Sequence, residues 1–246
     1  MNIALIGFGK MGKAIEKLAL EKGHRVTLRI TSTNSSQLTP QAIAGSDVAI
    51  EFSRPEAAFQ NISFCLKNKI PVVSGTTGWH HRMAGVKALC ARHKGAFFYA
   101  PNFSIGVNIF FAINRYLASL MKQQGAYEVS IEETHHTQKK DYPGGTAITL
   151  AEDIIKISDT KKEWRAILAN DLSGRVSPQK NALTICSKRE GDVVGTHLVK
   201  WSSAIDRLEI KHTAHSREGF ATGALMAAEW ISGRQGCFGM EDLLGF

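Results

Sequence analysis

A short apolar run, Ile3-Ala-Leu-Ile6, leads directly into Gly7-Phe8-Gly9-Lys10-Met11-Gly12 and then into a segment with helical spacing, Met11, Ile15, Leu18 and Ala19, that stops at Gly23. Strand, glycine turn and helix in that order leave few folds open. In a G-x-G-x-x-G loop the first glycine permits the tight turn, the second lets the backbone approach a pyrophosphate, and the third allows close packing of helix on strand. The helix N-terminus beyond it offers unpaired N–H groups and partial positive charge to such an anion. An ordinary glycine turn is the competing reading, and the position between strand and helix is what favours dinucleotide binding.

The next eighty residues repeat the alternation. Strands are predicted at Arg25–Ile30, Asp47–Phe52, Pro71–Ser74 and Ala96–Ala100, and helices at Pro55–Asn68 and His80–His93, with Pro55 well suited to a first helical position. Alternating strands and helices imply a parallel sheet with helices on its faces. No convincing helix stands between Ile30 and Asp47, so that crossover reads as loop. The second part has a different rhythm. Ile105–Met121 is a long apolar helix, Tyr127–Glu133 alternates like a half-buried strand, and Thr146–Ser158 is amphipathic through Ile148, Ala151, Ile154 and Ile155. Three strands on short turns follow, at Ala182–Lys188, Val193–Trp201 and Arg207–Ala214, and a closing helix at Arg217–Ile231. Consecutive strands favour a mostly antiparallel sheet, hence a separate α+β domain.

Composition narrows the partners. The net charge of +8 is concentrated at one end: residues 1–103 hold 13 Lys/Arg against 5 Asp/Glu, whereas residues 104–215 hold 15 against 13. A basic surface or a phosphate-rich small ligand of the first part explains this. No basic run with interleaved aromatics and no recognition-helix pattern points to nucleic acid. No apolar run reaches the roughly 18 to 20 residues a membrane span needs, and Met1-Asn2 leads into a strand with no signal-peptide pattern. The four scattered cysteines, Cys65, Cys90, Cys186 and Cys237, form no C-x-x-C pair and fit a reducing cytoplasm better than a disulfide frame or zinc site.

An NAD-binding fingerprint predicts a carboxylate about 20 positions after its glycines, on the ribose 2′-hydroxyl. Here Thr31-Ser-Thr-Asn-Ser35 stands at that place, and no Asp or Glu occurs between Glu21 and Asp47. A 2′-phosphate would meet hydroxyls and amides, with Arg29 either nearby or turned into strand packing, so NADPH is favoured over NADH. Two further loops, Ser74-Gly75-Thr76-Thr77-Gly78 and Ala100-Pro101-Asn102-Phe103, follow presumed parallel strands, on the side where ligands sit in open α/β sheets. Either can also be a plain turn.

Residues 132–147, Glu-Glu-Thr-His135-His136-Thr-Gln-Lys139-Lys-Asp-Tyr-Pro-Gly-Gly145-Thr146-Ala, are poor core material. A polar loop is the bland reading. Metal ligation is not expected, because adjacent histidines at a strand end point to opposite sides and no H-E-x-x-H pattern is present. The functional reading joins a helix N-terminus at Gly144-Gly145-Thr146, able to cradle a carboxylate, to His135, His136 and Lys139 as hydrogen-bond donors and titratable groups. Beside a nicotinamide domain, such a loop suggests reduction of a small acidic molecule.

These motifs together resemble the 4-hydroxy-tetrahydrodipicolinate (dihydrodipicolinate) reductase family. Its E-x-H-H-x-x-K-x-D-x-P-S-G-T-A signature is matched by Glu133 to Ala147. The likeness extends over Gly7–Gly12, Phe52-Ser-Arg-Pro55, Gly75–Gly78, Pro101–Asn108, Arg189–Asp192, Gly195-Thr-His197 and Ser216-Arg217. The resemblance implies a Rossmann-like dinucleotide-binding domain made of 1–104 and 216–246, and a substrate-binding and oligomerisation domain of 105–215. It implies cofactor contacts from Gly7, Phe8, Gly9, Lys10, Met11, Gly12, Thr31, Gly75, Thr76, Thr77, Ala100, Pro101, Asn102 and Phe103. His135 would be the catalytic donor/acceptor and Lys139 the proton donor, while His136, Gly145 and Thr146 would hold the substrate carboxylates. Arg217 would lie near a hinge, and the enzyme would be a cytoplasmic homotetramer of lysine and diaminopimelate synthesis whose domains close on the ligand. The chain departs from the family in Gly144 for the usual serine, in Thr31 for a common acidic residue, and in a shortened segment between Ile30 and Asp47.

Two alternatives remain at this level. Another NAD(P)-dependent oxidoreductase, such as a sugar or semialdehyde dehydrogenase, would in the semialdehyde case need a nucleophilic cysteine, and none lies in a suitable motif. A non-catalytic NADPH-sensing or nucleic-acid-binding module would need no His135/Lys139 pair.

Overall fold

A computed structural model describes residues 1–169, 180–216 and 218–246. The chain divides into two compact units, Met1–Ile105 with Glu218–Phe246, and Gly106–Arg217. Arg217 itself lies outside the described residues.

The first unit begins with β1 (Asn2–Ile6), α1 (Lys10–Glu21) and β2 (Arg25–Ile30), the glycine at 23 taking φ +77° to end the helix. The stretch read as loop contains one helical turn, α2 (Pro40–Ile43), with Pro40 in the first turn and the Thr39 hydroxyl accepting from the Ala42 amide. Four residues are too few to show a periodic signal. There follow β3 (Val48–Glu51), α3 (Pro55–Lys67), β4 (Val72–Ser74), α4 (Met83–His93) and β5 (Ala96–Tyr99). The sheet gains a sixth strand from the end of the chain, in the order β11-β5-β4-β3-β1-β2, where β11 is Gly236–Phe238. All its ladders are parallel.

Because both faces are covered, β1 is apolar at successive positions rather than alternating. Ile3 and Leu5 enter one core with Ile15 and Ala19 of α1, whereas Ala4 and Ile6 enter the other with Ile62 and Leu66 of α3. The first core is completed by helix Glu218–Ile231, through Ala221, Ala224, Leu225, Ala228 and Ile231. That helix lies so close to the loop after β5 that a Cβ on Gly223 would fall 1.8 Å from the Phe103 carbonyl oxygen. β1 is flanked by β2 and β3, so the strand order reverses at β1, and the carboxyl ends there form the crevice in which such sheets take ligands.

The second unit holds α5 (Ile105–Met121), β6 (Glu128–His135), α6 (Gly145–Ile157), β7 (Glu163–Leu168), β8 (Ala182–Arg189), β9 (Gly195–Ser202) and β10 (Arg207–Ala214). Its sheet runs β10-β9-β6-β8-β7. Where the sequence suggested a mostly antiparallel arrangement, the sheet is mixed: β10–β9 and β9–β6 are antiparallel, but β6–β8 and β8–β7 are parallel. The parallel half arises because α6 carries the chain across between β6 and β7, and β7 had no clear pattern beside Lys161 and Lys162. One face of the sheet packs on α5 and α6 through Phe110, Phe111, Leu150, Ile154, Ile131, Ile185 and Val199. The other carries charge, with Glu132 bridging Lys188 at 2.8 Å and also pairing with Lys200. The remaining elements are α7 (Glu218–Ile231) and α8 (Met240–Leu244). Among the described residues no helix is long and apolar enough to cross a membrane.

Candidate functional site

In the first unit, the loops at the carboxyl ends of β1, β3 and β4 surround a cavity of about 360 Å³. Gly9, Lys10, Met11, Gly75, Thr76 and Thr77 line it, as do Phe52, Ser53 and Pro55. The glycines have separate reasons. Gly7 has φ +97° and would put a Cβ 2.0 Å from the Phe52 carbonyl oxygen, while a Cβ on Gly12 would lie 2.6 Å from the Gly7 carbonyl oxygen. Gly9 caps α1 without any side-chain bond to the helix amides, and a Cβ there would meet nothing within 4 Å. No acidic residue occurs in the first turn. Bare backbone, free helix amides and a cavity of this size fit a dinucleotide phosphate.

The other expected cofactor residues do not line this cavity. Phe8 packs beside β2, with the Arg29 guanidinium 5.9 Å from its ring centre. Arg29 is neither free nor turned inward: it pairs with Glu16 at 2.5 Å. Thr31 belongs to a self-bonded turn in which its amide donates to Asn34 Oδ1 at 2.6 Å and its hydroxyl lies 2.8 Å from that of Thr33. Ala100 and Phe103 are buried, Phe103 stacking on Phe98 and packing at 5.7 Å on Phe52. Pro101 is exposed, and Asn102 Oδ1 accepts from the Ser104 amide at 2.9 Å.

Beneath the cavity is a residue that motif reading missed. Glu51, at the end of β3, is 0% exposed. It accepts from the Ser53 amide (2.9 Å), the Ser74 hydroxyl (2.6 Å) and the Thr76 hydroxyl (2.9 Å), and from the Ser53 hydroxyl. One carboxylate thus ties together two cofactor-side loops. The close approach of these loops also explains Gly75, where a Cβ would fall 2.2 Å from the Phe52 ring.

In the second unit, the histidine–lysine segment leaves the end of β6 and returns at α6. His135 Nδ1 lies 3.2 Å from the Val194 carbonyl oxygen. A carbonyl only accepts, so Nδ1 carries the proton and Nε2 is the atom left to exchange one. Nε2 is 3.8 Å from Glu133 Oε2. Burial lowers the His135 pKa; Glu133 and the Val194 carbonyl oppose that shift, whereas Lys139 and Arg189 add to it. Lys139 pairs with Asp141, which is thereby held below the usual carboxylate range. His136 is partly buried and its carbonyl accepts from the Lys139 amide at 3.1 Å. α6 starts at Gly145 with Gly144 as its cap and no side-chain bond to its amides, leaving Gly145 exposed and Thr146 beside it on the first turn.

Three further residues join this cluster. Glu133 is 0% exposed; it accepts from the Gly144 amide at 2.9 Å and from the Ser187 hydroxyl at 2.8 Å, with Arg189 at 3.5 Å. Arg189 also donates to the Lys139, Asp141 and Lys188 carbonyls at 3.0, 2.8 and 2.8 Å, which fixes the loop carrying the lysine. His197 is 5% exposed, its ring edge-on to His135 at 5.3 Å, and its Nε2 has no hydrogen-bond partner. Burial, with His135, His212 and Lys139 as lesser causes, pushes its pKa down to about 3, so it is neutral. Glu133 and the Arg189–Asp192 and Gly195–His197 stretches were visible as motif fragments, but their convergence was not. Glu133, His135 and His197 each present one ligand atom, all within 4.8 Å. The Gly144 amide and Ser187 hydroxyl already occupy the carboxylate, and Arg189 and Lys139 are fixed cations beside it, a poor setting for a divalent ion.

The arrangement places a lysine, a titratable imidazole and uncapped helix amides in one unit, and a glycine turn before an uncapped helix in the other. Family models described as dihydrodipicolinate reductase N-terminus and C-terminus match residues 1–103 and 106–244. A protein named 4-hydroxy-tetrahydrodipicolinate reductase from Christiangramia forsetii is 45% identical over 245 residues, 99% of this chain and 98% of its own. One of the same name from Neisseria gonorrhoeae is 34% identical over 232 residues, 94% of this chain and 84% of its own. A solved structure, dipicolinate-bound dihydrodipicolinate reductase from Paenisporosarcina sp. TG-14, superposes with TM-score 0.78 over 98% of both chains at 21% identity, which speaks to the fold. With both halves matched and full-length relatives at this identity, the chain belongs to the dihydrodipicolinate reductase family.

Proposed function

We propose that the chain reduces 4-hydroxy-tetrahydrodipicolinate to tetrahydrodipicolinate with a reduced nicotinamide cofactor, in the synthesis of diaminopimelate and lysine. The observation that carries the reading is the convergence of His135, Lys139 and the uncapped amides of α6 at the end of β6. The balanced reaction consumes one hydride and one proton, and releases water. When bound, the cofactor supplies the hydride; Gly7, Gly9, Lys10, Met11, Gly12, Gly75, Thr76 and Thr77 are the residues that would hold it, with Phe8, Thr31 and Ala100–Phe103 on its borders.

The ring carboxylates are taken by the Gly145 and Thr146 amides, the Thr146 hydroxyl and His136, a helix-end site that needs no further cation. Lys139, held by Asp141 and by a loop that Arg189 clamps, delivers the proton, and His135 Nε2 serves as donor/acceptor in the same transfer. The protein's other contribution is orientation of the ring. Neither buried cysteine fits the activated nucleophile of a semialdehyde dehydrogenase, because burial holds the Cys65 thiol well above its usual range and pushes Cys90 up to about 12.

NADPH is the preferred cofactor in this reading, since the turn after β2 presents Thr31, Thr33 and Asn34 and no carboxylate to a 2′-phosphate. A homotetramer and a cytoplasmic location go with it, the former tested by sedimentation. The deciding assay follows loss of reduced-nicotinamide absorbance with substrate freshly made from pyruvate and aspartate semialdehyde. Turnover, faster with NADPH in kcat/KM, is the expected result. No oxidation of either cofactor by folded protein and verified substrate would overturn the reaction; a preference for NADH would overturn only the reading of Thr31.

A further inference from the structure

We propose that Glu133 is a positioning residue for this reduction, one buried carboxylate that sets the imidazole of His135 relative to the Gly144 cap of α6 without touching the substrate. The inference rests on the roles given above to His135 and to Gly145 and Thr146. Glu133 Oε2 accepts from the Gly144 amide at 2.9 Å and lies 3.8 Å from His135 Nε2. Oε1 accepts from the Ser187 hydroxyl at 2.8 Å and faces Arg189 at 3.5 Å. The imidazole and the helix cap therefore meet at the same oxygen of one group that no solvent reaches, while its other oxygen is anchored to Ser187 and Arg189. Displacing it moves both.

Gly144 supplies an independent observation. A Cβ at this position would sit 2.8 Å from Glu133 Oε2, and 3.7 Å from His135 Nε2. A side chain there would press on the carboxylate, so the glycine that departs from the family signature is what allows the close approach in this chain.

The electrostatics give the role a signature of its own. The charged or titratable groups facing His135 are Glu133 on its own strand, Lys139 from the following loop, Arg189 from β8 and His197 from β9. Lys139 and Arg189 disfavour the imidazolium, His197 stays neutral, and Glu133 favours it. Removing the carboxylate charge must lower the His135 pKa further, whereas a group that merely filled space would leave it alone.

The test measures kcat and KM against pH for the unmodified chain, Glu133→Gln and Gly144→Ala, with melting temperature and NADPH affinity alongside. Glu133→Gln is expected to lower kcat roughly tenfold or more, to leave NADPH affinity unchanged, and to move the His135-governed limb of kcat/KM to lower pH. Gly144→Ala, which keeps the charge but pushes it, is expected to raise KM and lower kcat in the same direction to a smaller extent. Should Glu133→Gln not fold, Gly144→Ala carries the test. A folded Glu133→Gln enzyme with unchanged kcat and limb overturns the proposal, as does a rise in KM alone in both variants. Absence of turnover by the unmodified chain is a separate result, and overturns the proposed reaction together with this inference.

Discussion

Each unit is organised around one fully buried glutamate at or near a strand end, and the two are satisfied in different ways. Glu51 is held by three hydroxyls and an amide, neutral donors contributed by its own loop and the next. Glu133 is held by one amide and one hydroxyl, with Arg189 and two imidazoles around it. A buried carboxylate is costly unless its lone pairs are taken. Neutral donors meet that need with geometry alone, and the titratable group its charge is felt by is the buried Cys65 thiol, whose pKa burial and Glu51 both raise. Ionisable neighbours turn the same charge into a control on protonation. Hence Glu51 shapes its loops and adds to holding a buried thiol protonated, whereas Glu133 both shapes its site and tunes an imidazole that can exchange a proton.

The sharpest way to break this contrast is Lys139→Ala. If Lys139 is the proton donor proposed above, this should reduce kcat roughly 10²-fold or more, while NADPH affinity stays the same. Equal losses in both would mean that the lysine supports structure in general.

Glu51→Ala should weigh on stability instead. Leaving buried hydroxyls and an amide unsatisfied costs about 1–3 kcal/mol for each group that water cannot reach. The midpoint of urea unfolding should fall and the cofactor Kd rise, with the pH profile of kcat unmoved. A shifted profile would show that the influence of Glu51 is not confined to its loops and the Cys65 thiol.

Next in size is the pH dependence of stability from His197. Its folded pKa of about 3 lies below the ordinary histidine value of 6.5, so between those values the unfolded chain binds a proton that the native state refuses. Stability therefore rises with pH through this window, and acid weakens the fold by up to about 1.4 kcal/mol per pH unit. Urea unfolding at about pH 5 and pH 7.5 measures the slope, and His197→Gln should flatten it; an unchanged slope would mean the imidazole is not the group responsible. The smallest effect expected is Thr31→Asp, which should lower the NADPH-to-NADH ratio of kcat/KM by roughly tenfold, the worth of one charge-assisted contact. No change would remove the turn after β2 from the cofactor site.

Much of the first unit could be read in the sequence because its signals are local. The Gly7–Gly12 turn, the α1 face of Ile15 and Ala19 and the stop at Gly23 all lie within one window. The start of α6 was visible in the same way, through two glycines and a threonine before an apolar face. What escaped depends on distant partners. Gly75 is a glycine because the Phe52 ring lies against it, and Arg189 matters because it reaches carbonyls some 50 residues away. Neither relation leaves a periodic trace. The mixed sheet was missed for a related reason: order along the chain suggested hairpins, whereas β8 joins β6 side by side and in the same direction.

The helix α7 packs beside α1 on one face of the first sheet, over β3, β4 and β5 with Ile50, Val73 and Phe98, although it is the first element made after the whole second unit. Translation at roughly 5–20 residues per second therefore leaves the part of that face beyond α1 uncovered for several seconds while Gly106–Arg217 is being made. The half that starts first finishes last. Nascent chains of this protein pass through a stage in which the second unit follows a sheet whose β3–β5 apolar face is only partly covered, and a stop codon before Glu218 would make that stage permanent.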